Sequence, residues 1–386
     1  MRVFFGLFLV YSLFFVMGCI DKAHLVESSD TDSMSQEARE LKAEALQSQI
    51  DGLNPLTLEV LWYYPLPEER ITRFTHRGEL LFVETERHLL YAIEPATGVV
   101  RWVFQCEDPL DFAPALSKTH VSFTCASVLF LLDSRGGNLI WKQTMSFTVS
   151  SGTALDRQNV YVGSFDDFFY AYNLEGRKAW RFRTEGSLML APLTETPLVY
   201  FISEDLSIYA VNVADGTKSW EFKMLNRAKD NPYIYDYVIG SNLDYSLLYV
   251  PSDDFNLYCI DRITGNIFWK YEAGEEVLTT PVVSGDACYS ACTNKLVGIQ
   301  NRTGHEMFSL EGQYQVLARG KSDIYVTRFK EIAGQRTREM LLVDGAKGTV
   351  KAKAPISKFE FALTNRQDGL IFLASRNGVL FTLKEQ

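Results

Sequence analysis

Five segments of this chain share one pattern: an aromatic or β-branched run, a turn ending in glycine, and a tryptophan four residues after that glycine. They are Leu90 to Trp102, Leu131 to Trp141, Tyr170 to Trp180, Tyr209 to Trp220 and Tyr258 to Trp269, with Gly98, Gly137, Gly176, Gly216 and Gly265. Two degenerate copies follow, Gly304 with Phe308 and Gly348 with Ala352, so successive glycines stand 39, 39, 40, 49, 39 and 44 residues apart. Such a period means that one supersecondary unit is stacked against copies of itself. Each unit reads as strand, tight turn, strand, because alternating aromatic and β-branched residues run into a turn cluster. Glycine supplies the positive φ that closes the turn. A small residue recurs at one place in the run, as Ala92, Ala171, Ala210, Cys259 and Gly298, which marks a crowded position between adjacent sheets. Cys259 is accordingly read as a core side chain standing in for alanine. The tryptophans recur once per period and read as packing between units.

Further strands begin at Leu80, Val121, Val160, Leu198, Leu247, Ala287, Ile324 and Leu370, which makes eight units. The strands that follow them end with Val379 to Lys384, and the last unit has no tryptophan strand of its own. A strand of that kind stands at the other end, Leu58 to Pro65 with Trp62, 40 residues before Trp102. The expected fold is therefore all-β, an eight-bladed β-propeller of four-stranded blades, its ring closed by the N-terminal strand pairing into the last blade. Closure removes two open sheet edges. An array of this kind also escapes the size limit on a single hydrophobic core.

Residues 1–18 read as a secretory signal: Arg2, an apolar run from Val3 to Met17, then Gly18 and Cys19. The run is shorter than the ~20 apolar residues of a membrane span. Val16 to Cys19 resemble the lipobox of bacterial lipoproteins. That resemblance implies that Cys19 becomes the first mature residue and carries diacylglycerol, several acyl chains on one residue giving stable anchoring. Asp21 is third in the mature chain, so the simplest inner-membrane retention pattern, Asp second, is absent, which favours the outer membrane. Residues 19–55 are polar and read as a tether with a short helix near Ser33 to Ala45, and residues 56–386 as the propeller. Without the signal the chain has 37 basic and 48 acidic side chains, a charge of about −11 that argues against a nucleic-acid partner. Cys106, Cys125, Cys259, Cys288 and Cys292 are odd in number, so disulfide pairing is left open. The five histidines show no metal-ligand spacing with them.

The run Tyr209 to Trp220, with Asp215-Gly216 and the tryptophan four residues on, resembles the tryptophan-docking repeat of pyrroloquinoline quinone enzymes. With the lipobox, the tether and eight blades, the chain is similar to the BamB family, lipoproteins of the outer-membrane β-barrel assembly machinery. The resemblance covers residues 56–386 at the level of the repeat. It implies a non-enzymatic, monomeric scaffold without cofactors on the periplasmic face of the outer membrane, membrane-bound through its lipid. The implied partners are envelope proteins, among them the β-barrel-inserting subunit and unfolded barrel clients. A quinone-dependent dehydrogenase would need an adjacent cysteine pair, and no two cysteines are adjacent here. Nucleophile-elbow and phosphate-loop motifs are absent too, and Asp166-Asp167 and Asp253-Asp254 fall in equivalent turns, where turn chemistry accounts for them. A ligand-sensing or surface-associated propeller lipoprotein is the alternative.

The binding surface is sought where the period stretches. Between Trp220 and Trp269 it lengthens from 39 to 49, within Asn226 to Tyr245. That segment holds Tyr233, Tyr235, Tyr237 and Tyr245, and tyrosine is a favoured interface anchor. They are expected either to meet a partner or to pack the loop onto the ring as an edge hairpin. A second extension, Lys330 to Arg338, is charged and expected to be solvated.

Overall fold

Each repeat folds as its hydrophobic pattern demands. The computed structural model describes residues 51–386 apart from 67–68, 240–241, 333–334 and 377; the signal segment, Cys19 and the expected tether helix lie outside the described residues. In the first blade, strands Ile71–Arg77, Leu80–Thr85, Leu89–Ile93 and Val100–Gln105 pair antiparallel in chain order from the channel outward. Among the described residues there are eight such four-stranded sheets. The second strand is buried along its whole length, as at Leu80–Thr85, because a sheet lies against each of its faces. The outermost strand alternates, as in Leu139–Thr144, because one side faces water.

The core is divided accordingly. Eight hydrophobic clusters are formed by the described residues, each drawn from two neighbouring blades. The tryptophans are the pins between them. Trp102 donates its indole N–H to Ser134 O at 3.0 Å, in the turn of the next blade, and Trp62, Trp141, Trp180, Trp220 and Trp269 do the same to Pro95, Leu174, Val213, Arg262 and Asn301. The repeat glycine lies beneath the ring. At Gly216 φ is +72° and an added Cβ would come within 2.6 Å of Trp180, so both backbone and space demand glycine. The small residue sits opposite the tryptophan in register, Ala210 against Trp220 and Cys259 against Trp269. Cys259 is fully buried there, as its place in the repeat predicts.

The ring closes as the missing strand requires. Leu58–Pro65 pairs antiparallel with Val379–Glu385, from Leu58 opposite Glu385 to Pro65 opposite Val379, as the outermost strand of the eighth blade. The third and fourth strands of that blade come from opposite ends of the chain, so no turn joins them for the seventh blade to dock on. The docking position there is Ala352, and its space is filled by Leu53 and Leu56 beside a 3-10 turn, Asn54–Leu56. Tyr325 donates its hydroxyl to Leu56 O, much as Tyr289 donates to Gly345 O at 3.0 Å where Phe308 has no N–H to give.

Antiparallel order also sorts the connections. Turns between second and third strands, and the links from one blade to the next, leave the ring on one side, here termed the connection face. Turns between first and second and between third and fourth strands leave on the other, the tryptophan face.

Candidate protein-binding surface

The ten extra residues near Trp220 lengthen the first hairpin of the fifth blade, Tyr233–Ile239 with Asn242–Pro251, on the tryptophan face. Its tyrosines have partners within the chain. Tyr233, Tyr235 and Tyr245 pack against the cluster between blades five and six. Tyr233 also donates to Arg366 O at 3.3 Å. Tyr237 stacks on Tyr245 at 4.9 Å and lies under Arg302, which donates to its hydroxyl at 2.7 Å. Tyr245 in turn meets Phe268 at 4.8 Å with the rings tilted. The four side chains are thus brought into one wall of the hairpin, with Tyr237 half-exposed at its outer end.

The second extension has the other polarity. Asp323–Ile332 and Gln335–Asp344 lengthen the middle hairpin of the seventh blade on the connection face. Arg338, expected in water, instead lies 5.2 Å over Phe329 and donates to Gln315 Oε1 at 2.6 Å. Burial lowers its pKa.

Side chains that sequence reasoning passed over form the better surface. Nearly half of the exposed apolar residues, such as Leu139, Ile140, Ile267, Phe268 and Val350, recur at two repeat positions around the outer rim. Phe165, Met189, Leu225 and Phe255 differ: they occupy successive turns and links of blades three, four and five on the connection face, and are 51%, 46%, 77% and 47% exposed. The backbone joins them. Glu204 N bonds to Ser187 O at 2.9 Å, Met224 N to Leu206 O at 2.8 Å and Asp253 N to Arg227 O at 2.8 Å, tying each link to a neighbouring turn. An exposed apolar arc spanning three blades, with an ionic rim of Arg227 to Glu204 at 3.4 Å and Lys229 to Asp253 at 3.1 Å, has the anatomy of an interface.

A local motif holds the arc rigid. Ser164 to Tyr170, Ser203 to Tyr209 and Ser252 to Tyr258 all read Ser-x-Asp-x-x-x-Tyr, a signal present in the sequence in these three blades. In each, the serine hydroxyl accepts the aspartate N–H, and the carboxylate accepts both an N–H two residues on and the tyrosine O–H. The tyrosine bonds are 2.8, 2.9 and 2.6 Å long. Asp167, Leu206 and Phe255 take positive φ of 65°, 72° and 69°, which turns Phe255 outward. Burial works against the Asp205 carboxylate, yet bonds from Glu185 N, Tyr209 and Ser207 hold its pKa below the ordinary value. Burial and then Asp166 push Tyr170 up to about 12. The paired aspartates are therefore turn chemistry, as expected.

All five cysteines described are buried and unbonded, and among the described residues no three His, Cys, Asp or Glu side chains converge as a metal site would. Burial raises the thiols of Cys259, Cys288 and Cys292, which keeps them unreactive.

Comparison with known proteins gives the lineage. BamB of Nitrosomonas eutropha is 21% identical over 142 residues, covering 37% of this chain and 34% of the relative. BamB of Bordetella pertussis is 26% identical over 162 residues, 42% of this chain and 41% of the relative. BamB of Yersinia pestis is 22% identical over 256 residues, 61% and 62% respectively, so the matches span about a third to three-fifths of these relatives' lengths. Among solved structures, BamB from Moraxella catarrhalis superposes with a TM-score of 0.65 at 16% identity, over 85% of this chain and 97% of that one. Quinohemoprotein alcohol dehydrogenase from Comamonas testosteroni gives 0.58 at 12% identity, over 86% and 77%. These structural likenesses establish the fold alone. The family model described as "Outer membrane protein assembly factor BamB" matches residues 125–232 and 239–382, more than half of the 386 residues, and on that ground this chain belongs to the BamB family.

Proposed function

We propose that this protein is a non-catalytic scaffold of outer-membrane protein assembly, anchored by lipid at Cys19 to the periplasmic face of the outer membrane. Its arc of Phe165, Met189, Leu225 and Phe255 holds another envelope protein. The observation that carries the reading is the arc itself: four large apolar side chains exposed on turns and links of three consecutive blades, on one face of a ring whose other exposed apolar residues stand mostly on the outer rim. Rigid aromatic and aliphatic anchors lose little conformational freedom on binding, which is what a hot spot needs. Membership of the BamB family and an acidic overall charge support a protein partner over nucleic acid. The barrel-inserting subunit is the proposed partner, with unfolded barrel chains as clients. The tyrosine hairpin, with Tyr237 half-exposed, is a second proposed contact on the opposite face.

The test is recovery of partners by crosslinking and mass spectrometry from cells carrying the full lipoprotein. Leu225→Ser with Phe255→Ser is expected to cut recovery of the inserting subunit at least tenfold with an unchanged melting temperature. Undiminished recovery would overturn the assignment of the arc. For the anchor, Cys19→Ser is expected to move the protein from the membrane to the soluble fraction.

A further inference from the structure

The channel along the ring axis holds charged side chains that the binding surface does not use. Arg366, between the first two strands of the eighth blade, donates Nε to Pro281 O at 3.2 Å and Nη2 to Thr280 O at 2.8 Å, both in the sixth blade. Its guanidinium stands 5.6 Å from the Tyr233 ring and 3.7 Å from Asp230 Oδ2, both at the fifth. Contacts that skip the seventh blade can only pass through the channel. Asp230 is committed on both oxygens: Oδ1 accepts Asn231 N at 2.8 Å and Oδ2 accepts Thr280 N at 3.0 Å.

Two more arginines end innermost strands at the same mouth. Arg77 closes Ile71–Arg77 of the first blade, and its one described hydrogen bond is to the neighbouring His76 O at 3.1 Å. Arg319 closes Tyr314–Arg319 of the seventh and donates to Gln367 O at 3.0 Å. Neither has a carboxylate within ion-pair distance among the described residues. Arg77 is exposed at the mouth, yet the surrounding ring desolvates it, and this together with the charge of Arg366 lowers its pKa, against the pull of Asp230. His76 lies against Phe372 at 4.8 Å with the rings tilted, and its burial, opposed by Asp368, lowers its pKa. Arg77 and Arg319 thus share the mouth with Arg366, where Asp230 is set against Arg366 and Asp368 lies by His76, inside a protein that is acidic overall. Uncompensated like charges held together in a partly enclosed site cost free energy unless an anion enters.

We propose that the channel mouth on the tryptophan face is a binding site for a small phosphate-type oxyanion, gripped by Arg77 with Arg319 and Arg366 around it. The planar fork of arginine matches the tetrahedral oxyanion, and its charge persists at any physiological pH. A phosphate or phosphomonoester dianion supplies negative charge that Asp230, held by Asn231 N and Thr280 N, does not. This site lies on the opposite face from the apolar arc and does not rest on it.

The experiment is isothermal titration calorimetry of the full chain with inorganic phosphate, with glycerol phosphate as the organic phosphomonoester and acetate at matched ionic strength as the single-charge carboxylate. Saturable one-to-one binding of both phosphates, at least tenfold tighter than acetate, is expected, with a melting temperature that rises with phosphate. Arg77→Gln should weaken phosphate at least tenfold while its melting temperature without phosphate does not fall below that of the wild type, because Arg77 holds no other blade and its loss relieves like-charge repulsion. Arg319→Gln should weaken it severalfold. Absence of saturable heat, equal affinity for acetate, or wild-type affinity in Arg77→Gln would overturn the proposal.

Discussion

At the scale of single residues, two kinds of position decide the blade. Gly216 must have positive φ and must also lie under Trp180, whereas Gly274, at φ +75°, has nothing within 4 Å of an added Cβ. Gly274→Ala is therefore expected to cost only backbone strain, about 1–2 kcal/mol, while Gly216→Ala adds a ring clash and should cost severalfold more, read as the shift in urea midpoint. Trp220→Ala opens a cavity between blades and leaves Arg262 O with Tyr200 as its remaining donor, with an expected loss of about 3–5 kcal/mol. Asp205 is the buried carboxylate whose pKa is held low. Its folded value lies below the unfolded one, so its contribution is complete above the ordinary carboxylate pKa and is lost as pH falls through the lower folded value. Asp205→Asn should reduce stability near neutral pH by about 1–3 kcal/mol, and urea midpoints of variant and wild type should converge as pH falls below the ordinary carboxylate pKa and through the lower folded value. The tryptophan-to-glycine spacing was legible in the sequence because the two residues act once per repeat. The Ser-x-Asp-x-x-x-Tyr motif was equally local, but it occurs in only three blades and so does not stand out against the period.

At the scale of elements, hairpin length separates what is shared from what is particular. The extended hairpin of the fifth blade was visible as a break in period, but which way its tyrosines turn depends on register. Tyr233 pairs opposite Tyr249, and that places Tyr233 and Tyr235 against the neighbouring blade. Substituting these two is expected to lower the melting temperature through lost packing, which would confuse a binding assay. Tyr237→Ser removes only the outer stack and the Arg302 contact, about 0.5–1.5 kcal/mol. It is the variant that tests the hairpin as a second contact: reduced partner recovery at nearly unchanged melting supports it, and full recovery excludes it. The links of blades three to five are shorter than this hairpin and carry no periodic break. Their apolar residues stand singly in the sequence and meet only because antiparallel strands deliver turns and links to one face.

At the scale of the whole molecule, closure is the decisive event. Pairing of Leu58–Pro65 with Val379–Glu385 joins the two ends of the described chain. Deleting Leu58 to Tyr64 should leave the eighth blade with an open edge, giving a lower melting temperature and aggregation that light scattering detects. Ala352→Trp should be destabilising by about 1–3 kcal/mol, although it restores the repeat, because Leu53 and Leu56 already occupy that space. The ring, its eight blades and its closing strand were determined by the sequence itself, since each follows from a pattern that repeats every 40 residues or from its one omission. The inter-blade packing of Cys259 was legible for the same reason. Only the tertiary structure decided which apolar residues share a face, that Tyr233, Tyr235 and Tyr245 pack inward, and that Arg77 lies within the field of Arg366 although 289 residues separate them. Periodicity specifies what each blade repeats; a surface or channel is built from what the blades do not repeat, and those residues acquire neighbours only when the ring closes.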